Sequence, residues 1–110
     1  MSRDLASMAC VPCRGGIPPL TREEIEPYLA DLGGDWQVVE DHHLEKTYTF
    51  PNFREALDFT NRVGELAEDV QHHPDIELSW GRVKVTVFTH KIHGLHESDF
   101  VFAAKADAAR

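Results

Sequence analysis

Histidines and carboxylates are concentrated in one short stretch of this sequence. Three histidines, His72, His73 and His90, are accompanied by two carboxylates, Glu68 and Asp99. Histidine can take up and release a proton near neutral pH, because its unperturbed pKa is about 6.5. If the fold brings these imidazoles to one pocket, the chemistry that they favour is proton transfer, with the imidazoles acting as acids and bases.

The spacing inside this stretch suggests how the side chains are arranged. Glu68 precedes His72 by four positions, which places the two on the same face if both lie in a helix. The adjacent pair His72-His73 points in two directions, so each ring can serve a separate role. Pro74 fixes the exit from the helix. Trp80 follows, and its ring could either pack in the core or stack on a ligand.

Helix and strand signals surround this stretch in a regular order. Thr21 with Glu24 predicts the capped start of a first helix, and Gly33 predicts its end. Asn52 predicts the capped start of a second helix. Alternating apolar residues predict strands, and apolar residues at helical spacing predict a long central helix. His42 and His43 fall in the turn between the first two strands and are predicted to be solvated. The elements alternate as helix, strand, strand, helix, strand, strand, helix over residues 21–33, 36–39, 44–50, 52–73, 75–80, 83–90 and from about 98 onward.

This order predicts an α+β fold, in which a four-stranded antiparallel sheet carries three helices on one face. If the last strand extends to His90, that ring lies on the side opposite the strand's valines, where it can line a site. The bare face or edge of the sheet needs cover, which self-association would supply. The central helix is predicted to bury one apolar stripe, formed by Phe53, Ala56, Leu57, Thr60, Val63, Ala67 and Val70.

Length and composition indicate one folded domain in a reducing compartment. The 110 residues suffice for a single core, which we assign to residues 20–110, after a proline- and glycine-rich lead-in at residues 1–19. A formal net charge of −8 argues against direct binding to nucleic acid. No apolar run approaches the roughly 20 residues of a membrane span. The absence of a signal peptide and the presence of only two cysteines favour a cytoplasmic protein.

The cysteine pair and the many histidines raise the alternative of a metal-binding protein. Cys10-x-x-Cys13 is half a zinc site, and no second pair follows it. His90, His93 and His96 are spaced three apart, but a glycine interrupts the helix that would align them. We therefore expect no metal, and metal analysis of the purified protein would test this expectation.

The pattern of site residues resembles the signature of the pterin-4a-carbinolamine dehydratase family. That signature runs E-x3-H-H-P, then an aromatic residue, a histidine and an aspartate, and the likeness extends from about residue 20 to residue 107. One departure is His96, where the family usually has a serine or threonine that caps the last helix. We expect Ser98 to cap it instead, which would shift the start of the helix by two residues. Every signature position is matched in this chain, by Glu68, His72, His73, Pro74, Trp80, His90 and Asp99.

The resemblance implies dehydration of a 4a-hydroxytetrahydropterin to the quinonoid dihydropterin, which recycles the cofactor of aromatic amino acid hydroxylases. The pterin is the substrate, so no cofactor is implied. Homodimers or homotetramers are implied as the assembly, and a hydroxylase or another protein can be a partner. The site would consist of three acid–base catalysts, His72, His73 and His90, and three substrate-binding residues, Glu68, Asp99 and Trp80.

A non-catalytic role is the alternative that the same resemblance leaves open. Some members of the family are protein-binding modules, which help transcription factors to dimerise or a carboxylating enzyme to assemble. Such modules tend to lose the catalytic histidines, whereas this chain has all of them. The complete signature therefore favours catalysis.

Overall fold

The order of helices and strands is the predicted one. The structure is a computed structural model that describes residues 4–9 and 17–110, so Cys10 and Cys13 lie outside the described residues. Two short 3₁₀ turns, at Leu5–Ser7 and His90–Ile92, accompany the main elements. The main elements are α1 (Arg22–Leu32), β1 (Gln37–Val39), β2 (His43–Thr49), α2 (Phe53–Val70), β3 (Asp75–Ser79), β4 (Arg82–Val87) and α3 (Glu97–Ala109).

Local sequence signals set the ends of α1 as predicted. The Thr21 hydroxyl accepts a hydrogen bond from the Glu24 backbone N–H, and the Glu24 carboxylate accepts one from the Thr21 N–H, which completes a capping box. Gly33 ends the helix with a positive φ of 64°, a conformation that glycine adopts without strain. Pro27 lies inside α1 and removes one backbone hydrogen bond without delaying the start of the helix.

The four strands form one antiparallel sheet in the order β1-β2-β4-β3, with β2 and β4 at its centre. The side chains of Val83, Val85 and Val87 are fully buried beneath the helices. Helix α2 packs on β3 and β4, α3 packs on β4 and α2, and α1 joins this layer through α3. The opposite face of the sheet is polar and carries ion pairs such as Lys84 with Glu45. The predicted α+β arrangement is therefore confirmed.

Helix α2 begins at its predicted cap but buries a somewhat different stripe. Asn52 accepts the Glu55 backbone N–H at 2.9 Å. Phe53, predicted to be buried, is 44% exposed, because it is the first residue of the helix, where less of the protein covers it. Phe59, which the predicted stripe omitted, is fully buried, and its ring lies 4.5 Å from that of Tyr48. The spacing of apolar residues located the buried side of α2 but not its limits.

A polar cluster around Asp107 ties α3 to the first two strands. The Asp107 carboxylate accepts hydrogen bonds from Trp36 Nε1 at 3.0 Å, Lys46 Nζ at 2.8 Å and the Tyr48 hydroxyl at 2.5 Å. Burial raises the pKa of Tyr48, and the hydrogen bond to Asp107 raises it further. The Tyr48 hydroxyl therefore stays protonated and acts as a donor. Trp36, Lys46 and Tyr48 thus all donate to a single acceptor, the carboxylate of Asp107.

We expect the Asp107→Ala variant to lose about 2 kcal/mol of the free energy of unfolding, because the half-buried Lys46 and the buried Tyr48 hydroxyl would lose their acceptor. Urea denaturation followed by circular dichroism measures this loss. The control is Glu65→Ala, which removes an exposed carboxylate from α2 and should change stability by less than about 0.5 kcal/mol. Equal effects of the two variants would contradict the role given to Asp107.

Candidate active site

A cavity of about 240 Å³ lies where the chain leaves α2 and where β4 ends. The three histidines predicted to be acids and bases all line it. They come from two segments that are far apart in the sequence, so the fold creates the site. The lining residues are Gln71, His72 and His73 from the first segment, and Phe88, Thr89, His90 and Lys91 from the second.

The exit from α2 directs its two histidines to different partners. The helix ends at Val70, and Gln71 takes a left-handed conformation with φ 56°. His72 therefore lies beyond the helix, and the expectation that Glu68 shares a helix face with it is wrong. The carboxylate of Glu68 instead contacts His73, with Oε2 and Nε2 2.5 Å apart.

His90 reaches the cavity from a short turn rather than from a strand. Strand β4 ends at Val87, three residues earlier than predicted, and His90 begins a 3₁₀ turn. The strand stops because the Thr89 backbone N–H donates to Gly94 O at 2.9 Å, closing a loop, instead of bonding to a neighbouring strand. The His90 side chain is nevertheless exposed and lines the cavity.

Asp99 is fully buried and holds His72 from behind. Its Oδ1 lies 2.7 Å from His72 Nε2, while Oδ2 accepts the Thr89 hydroxyl at 2.7 Å and the His96 backbone N–H at 2.8 Å. Because an ionised carboxylate can only accept, the hydrogen-bond network assigns the His72 proton to Nε2 when that ring is neutral. The other ring nitrogen, Nδ1, is then an acceptor.

The cap of α3 corrects the expectation for His96 and Ser98. Helix α3 begins at Glu97, with His96 as its N-cap. The backbone N–H of Ser98 faces His96 Nδ1 at 3.5 Å, and Asp99 accepts from the His96 N–H as in a capping box. The predicted shift of the helix start to Ser98 is therefore wrong, because an imidazole nitrogen can accept a backbone N–H in place of a hydroxyl.

The pair formed by His73 and Glu68 is much more exposed to solvent than the pair formed by His72 and Asp99. The two side chains are 55% and 74% exposed, whereas the His72 side chain is only 12% exposed. An ion pair in contact with solvent contributes little to stability and holds its members loosely. His73 is thus accessible for proton exchange with water, while His72 is fixed in one geometry.

Trp80 does not line this cavity. It lies in the turn between β3 and β4, next to the Ser79–Arg82 pair, and it is 69% exposed. The opposite end of the same two strands, where Asp75 pairs with Thr86, is the end that adjoins the cavity. Within one chain Trp80 is therefore placed away from the histidines, and its predicted contact with substrate stays a prediction.

Sequence reasoning missed two contributors, Phe88 and His42. Phe88 was visible as a large apolar residue on the polar side of its strand, on the same side as His90. His42 was predicted to be solvated, but its ring packs on Phe88 with centroids 4.6 Å apart, and the side chains of His42 and His43 are half-buried. The contact joins two segments that are distant in sequence, so local turn signals could not reveal it.

Residues 4–9 and 17–110 contain neither a metal-ligand cluster nor a membrane-spanning helix. In this range no three His, Cys, Asp or Glu side chains converge in a way that could hold a metal ion. The predicted absence of a metal remains a prediction, because Cys10 and Cys13 lie outside the range. No helix in the same range is long and apolar enough to cross a membrane.

Residues 18–109 match the family described as Pterin 4 alpha carbinolamine dehydratase. This match covers most of the chain. The chain belongs to that family. A relative from Rubrobacter xylanophilus, provisionally named pterin-4-alpha-carbinolamine dehydratase, is 64% identical over 104 residues, covering 94% of this chain and 96% of the relative. A relative from Alkaliphilus metalliredigens with the same provisional name is 58% identical over 104 residues, covering 94% of each chain.

Solved structures of a pterin dehydratase and of a pterin dehydratase-like protein share this fold. A protein from Brucella melitensis, described as a transcriptional coactivator/pterin dehydratase, superposes with a TM-score of 0.76 at 33% identity, covering 83% of this chain and 97% of the other. A pterin dehydratase-like protein, described as a RuBisCO assembly factor of the alpha-carboxysome, superposes with a TM-score of 0.61 at 22% identity, covering 71% of this chain and 92% of the other. The second likeness concerns the fold alone.

We expect Asp99→Asn to move the His72 proton from Nε2 to Nδ1. The amide oxygen can still accept from Thr89 and from the His96 N–H, which leaves the amide NH₂ facing His72 and requires the ring nitrogen there to accept. Nitrogen-15 spectra of the imidazole rings measure which nitrogen carries the proton.

The control for this experiment is Glu68→Gln, which alters the carboxylate paired with His73 and should leave the His72 spectrum as in the wild type. An Asp99→Asn protein that keeps the wild-type proton position would contradict the tautomer assigned to His72.

Proposed function

We propose that this chain catalyses the dehydration of 4a-hydroxytetrahydropterin to quinonoid dihydropterin. The observation that carries the proposal is the meeting of His72, His73 and His90 at one cavity. Membership of the dehydratase family supports it. The cavity, about 240 Å³, lies just below the range of about 300–1,000 Å³ that is common for small-molecule sites, which suits a compact bicyclic substrate.

The reaction requires both an acid and a base. The C4a–O bond breaks while a double bond forms between C4a and the neighbouring ring nitrogen, which loses its proton. Hydroxide is a poor leaving group, so an acid must protonate it and release it as water, and a base must take the proton from nitrogen. No electrons are exchanged with another molecule, so the scheme needs no metal or redox cofactor.

The different settings of the histidines support a division of labour. His72 is held by Asp99 at 2.7 Å, and His90 lines the same cavity from the other segment, so in this proposal the two flank the C4a hydroxyl as proton donors. His73 contacts the carboxylate of Glu68 through Nε2, which leaves its other ring nitrogen free to accept a proton from the substrate. His73 then deprotonates or positions the pterin, and its exposure lets the proton pass to water.

The two carboxylates have different proposed tasks. Asp99 is fully buried and is not among the residues that line the cavity, so in this proposal it acts by holding His72 rather than by touching the pterin. Glu68 is 74% exposed, which leaves its carboxylate able to accept hydrogen bonds from the amino-pyrimidinone edge of the substrate.

The proposed biological setting is recycling of the pterin used by aromatic amino acid hydroxylases, which generate the 4a-hydroxy compound. We also propose that copies of this chain associate through the sheet. Strands β1 and β3 are edge strands, and their outward backbone groups can pair with a second chain.

The decisive experiment is stopped-flow decay of freshly generated 4a-hydroxytetrahydropterin. The wild type should accelerate decay well above the spontaneous rate. His72→Ala, His73→Ala and His90→Ala should each reduce the acceleration by at least about tenfold, since one well-placed acid or base contributes about 10²–10⁴ in rate.

The matched control is His93→Asn. His93 lies in the same loop as His90 but is absent from the cavity lining, and its positive φ of 51° is tolerated by asparagine. This variant should keep wild-type activity. A folded wild-type protein that does not accelerate the decay would refute the proposed function.

That negative result would favour a protein-binding role instead. The description of the Brucella melitensis relative as a transcriptional coactivator as well as a pterin dehydratase keeps this second function in view. The exposed rings of Phe53 and Trp80 would then be the first positions to test for contact with a partner protein.

A further inference from the structure

The aromatic residue of the cavity lining, Phe88, also contacts the turn between β1 and β2. The Phe88 ring lies 4.1 Å, centroid to centroid, from the His90 ring and 4.6 Å from the His42 ring. His42 belongs to the turn between β1 and β2. Phe88 therefore connects that turn to the cavity through two ring contacts in series, which we call the His42–Phe88–His90 stack.

The three cavity histidines are held in three different ways. His72 is bonded to the buried carboxylate of Asp99, and His73 to the carboxylate of Glu68. For the His90 ring, the part of the chain that the structure describes provides no hydrogen-bond partner, and its ring contact is with Phe88, whose plane is tilted by 42° from that of His90. An exposed imidazole on a loop has freedom to rotate, so the stack is what restricts it.

The turn that supplies His42 is itself fixed by its backbone. Glu40 and Asp41 both have positive φ, 53° and 56°, and the His42 N–H donates to Val39 O at 2.9 Å. The rings of His42 and His43 are also linked, with their Nδ1 atoms 3.1 Å apart. One of these nitrogens must carry a proton and the other must accept it, so a hydrogen bond to His43 restrains the His42 ring.

We propose that Phe88 and His42 are positioning residues for His90. Phe88 touches the His90 ring and sets its orientation towards the cavity, and His42 supports Phe88 from the turn between β1 and β2. The proposal rests on the function proposed above, because it concerns how His90 meets the hydroxyl that leaves the substrate. It assigns a role in the site to a turn that lies about 30 residues before the first cavity residue in the sequence.

The structural half of the proposal is tested without any activity. Proton resonances of the His90 ring, assigned by their loss in His90→Ala, report on the field of the neighbouring Phe88 ring. Phe88→Leu and His42→Ala should both move these resonances, and Phe88→Tyr and His42→Phe should restore them towards wild type. The control is Phe53→Leu, the same substitution at an exposed phenylalanine at the start of α2, which should leave them unchanged.

The catalytic half is tested in the stopped-flow assay. Phe88→Leu should lower kcat by about tenfold, because a catalytic group displaced by about 1 Å can lose up to about 10²-fold in rate. KM should change little, and Phe88→Tyr should recover most of the loss. In a His90→Ala background, Phe88→Leu should have no further effect on kcat, since residues that act through one group are not additive.

Two results would overturn the proposal. One is a set of His90 resonances that do not respond to Phe88→Leu or His42→Ala. The other is a Phe88→Leu effect that falls on KM alone, or that persists undiminished in His90→Ala, which would make Phe88 a substrate contact or a purely structural residue. A wild type without dehydratase activity refutes the proposed function instead, and the resonances then still decide whether the stack orients His90.

Discussion

The site depends on the hydrogen bonds that the buried carboxylate of Asp99 accepts. A fully buried charge is costly unless it is paired and hydrogen-bonded, and this one is met by the Thr89 hydroxyl, the His96 N–H and the His72 ring. The three donors come from the end of β4, the start of α3 and the exit from α2. Satisfying one carboxylate therefore brings three separate segments together at a single point.

The rest of the fold makes that meeting possible. The capped helices and the antiparallel sheet place the end of α2 beside the end of β4, and the cluster around Asp107 ties the far end of α3 to the first two strands. Helix α3 is thus fixed near both ends by a carboxylate. Between these ends it buries Phe100, Val101, Phe102 and Ala103, so its position along the sheet is set by packing as well as by hydrogen bonds.

Much of this architecture could be predicted from the sequence, because the signals for it are local. The cap at Thr21, the cap at Asn52 and the glycine at position 33 act over three or four residues, and the strand pattern repeats every second residue. The family signature likewise located the three cavity histidines. The acid–base role of these histidines is a proposal, drawn from the chemistry that imidazoles can perform, and the stopped-flow experiment tests it.

What the sequence could not provide depends on long-range contacts or on unusual backbone geometry. The left-handed conformation of Gln71 places His72 beyond the helix, and the carboxylate of Glu68 contacts His73 instead. The ring of His96 replaced the usual hydroxyl cap, and the ring of His42 turned inward onto Phe88. Each outcome required knowledge of a neighbour that the local pattern does not specify.

The position of Asp99 within α3 has an electrostatic consequence. It is the third residue of the helix, in the first turn, where the aligned peptide dipoles place about half a unit of positive charge. The helix therefore contributes its own field to the stabilisation of a carboxylate that lies out of reach of water. The His72 imidazole at the cavity is in this way connected, through the side chain of Asp99, to the backbone dipoles of α3.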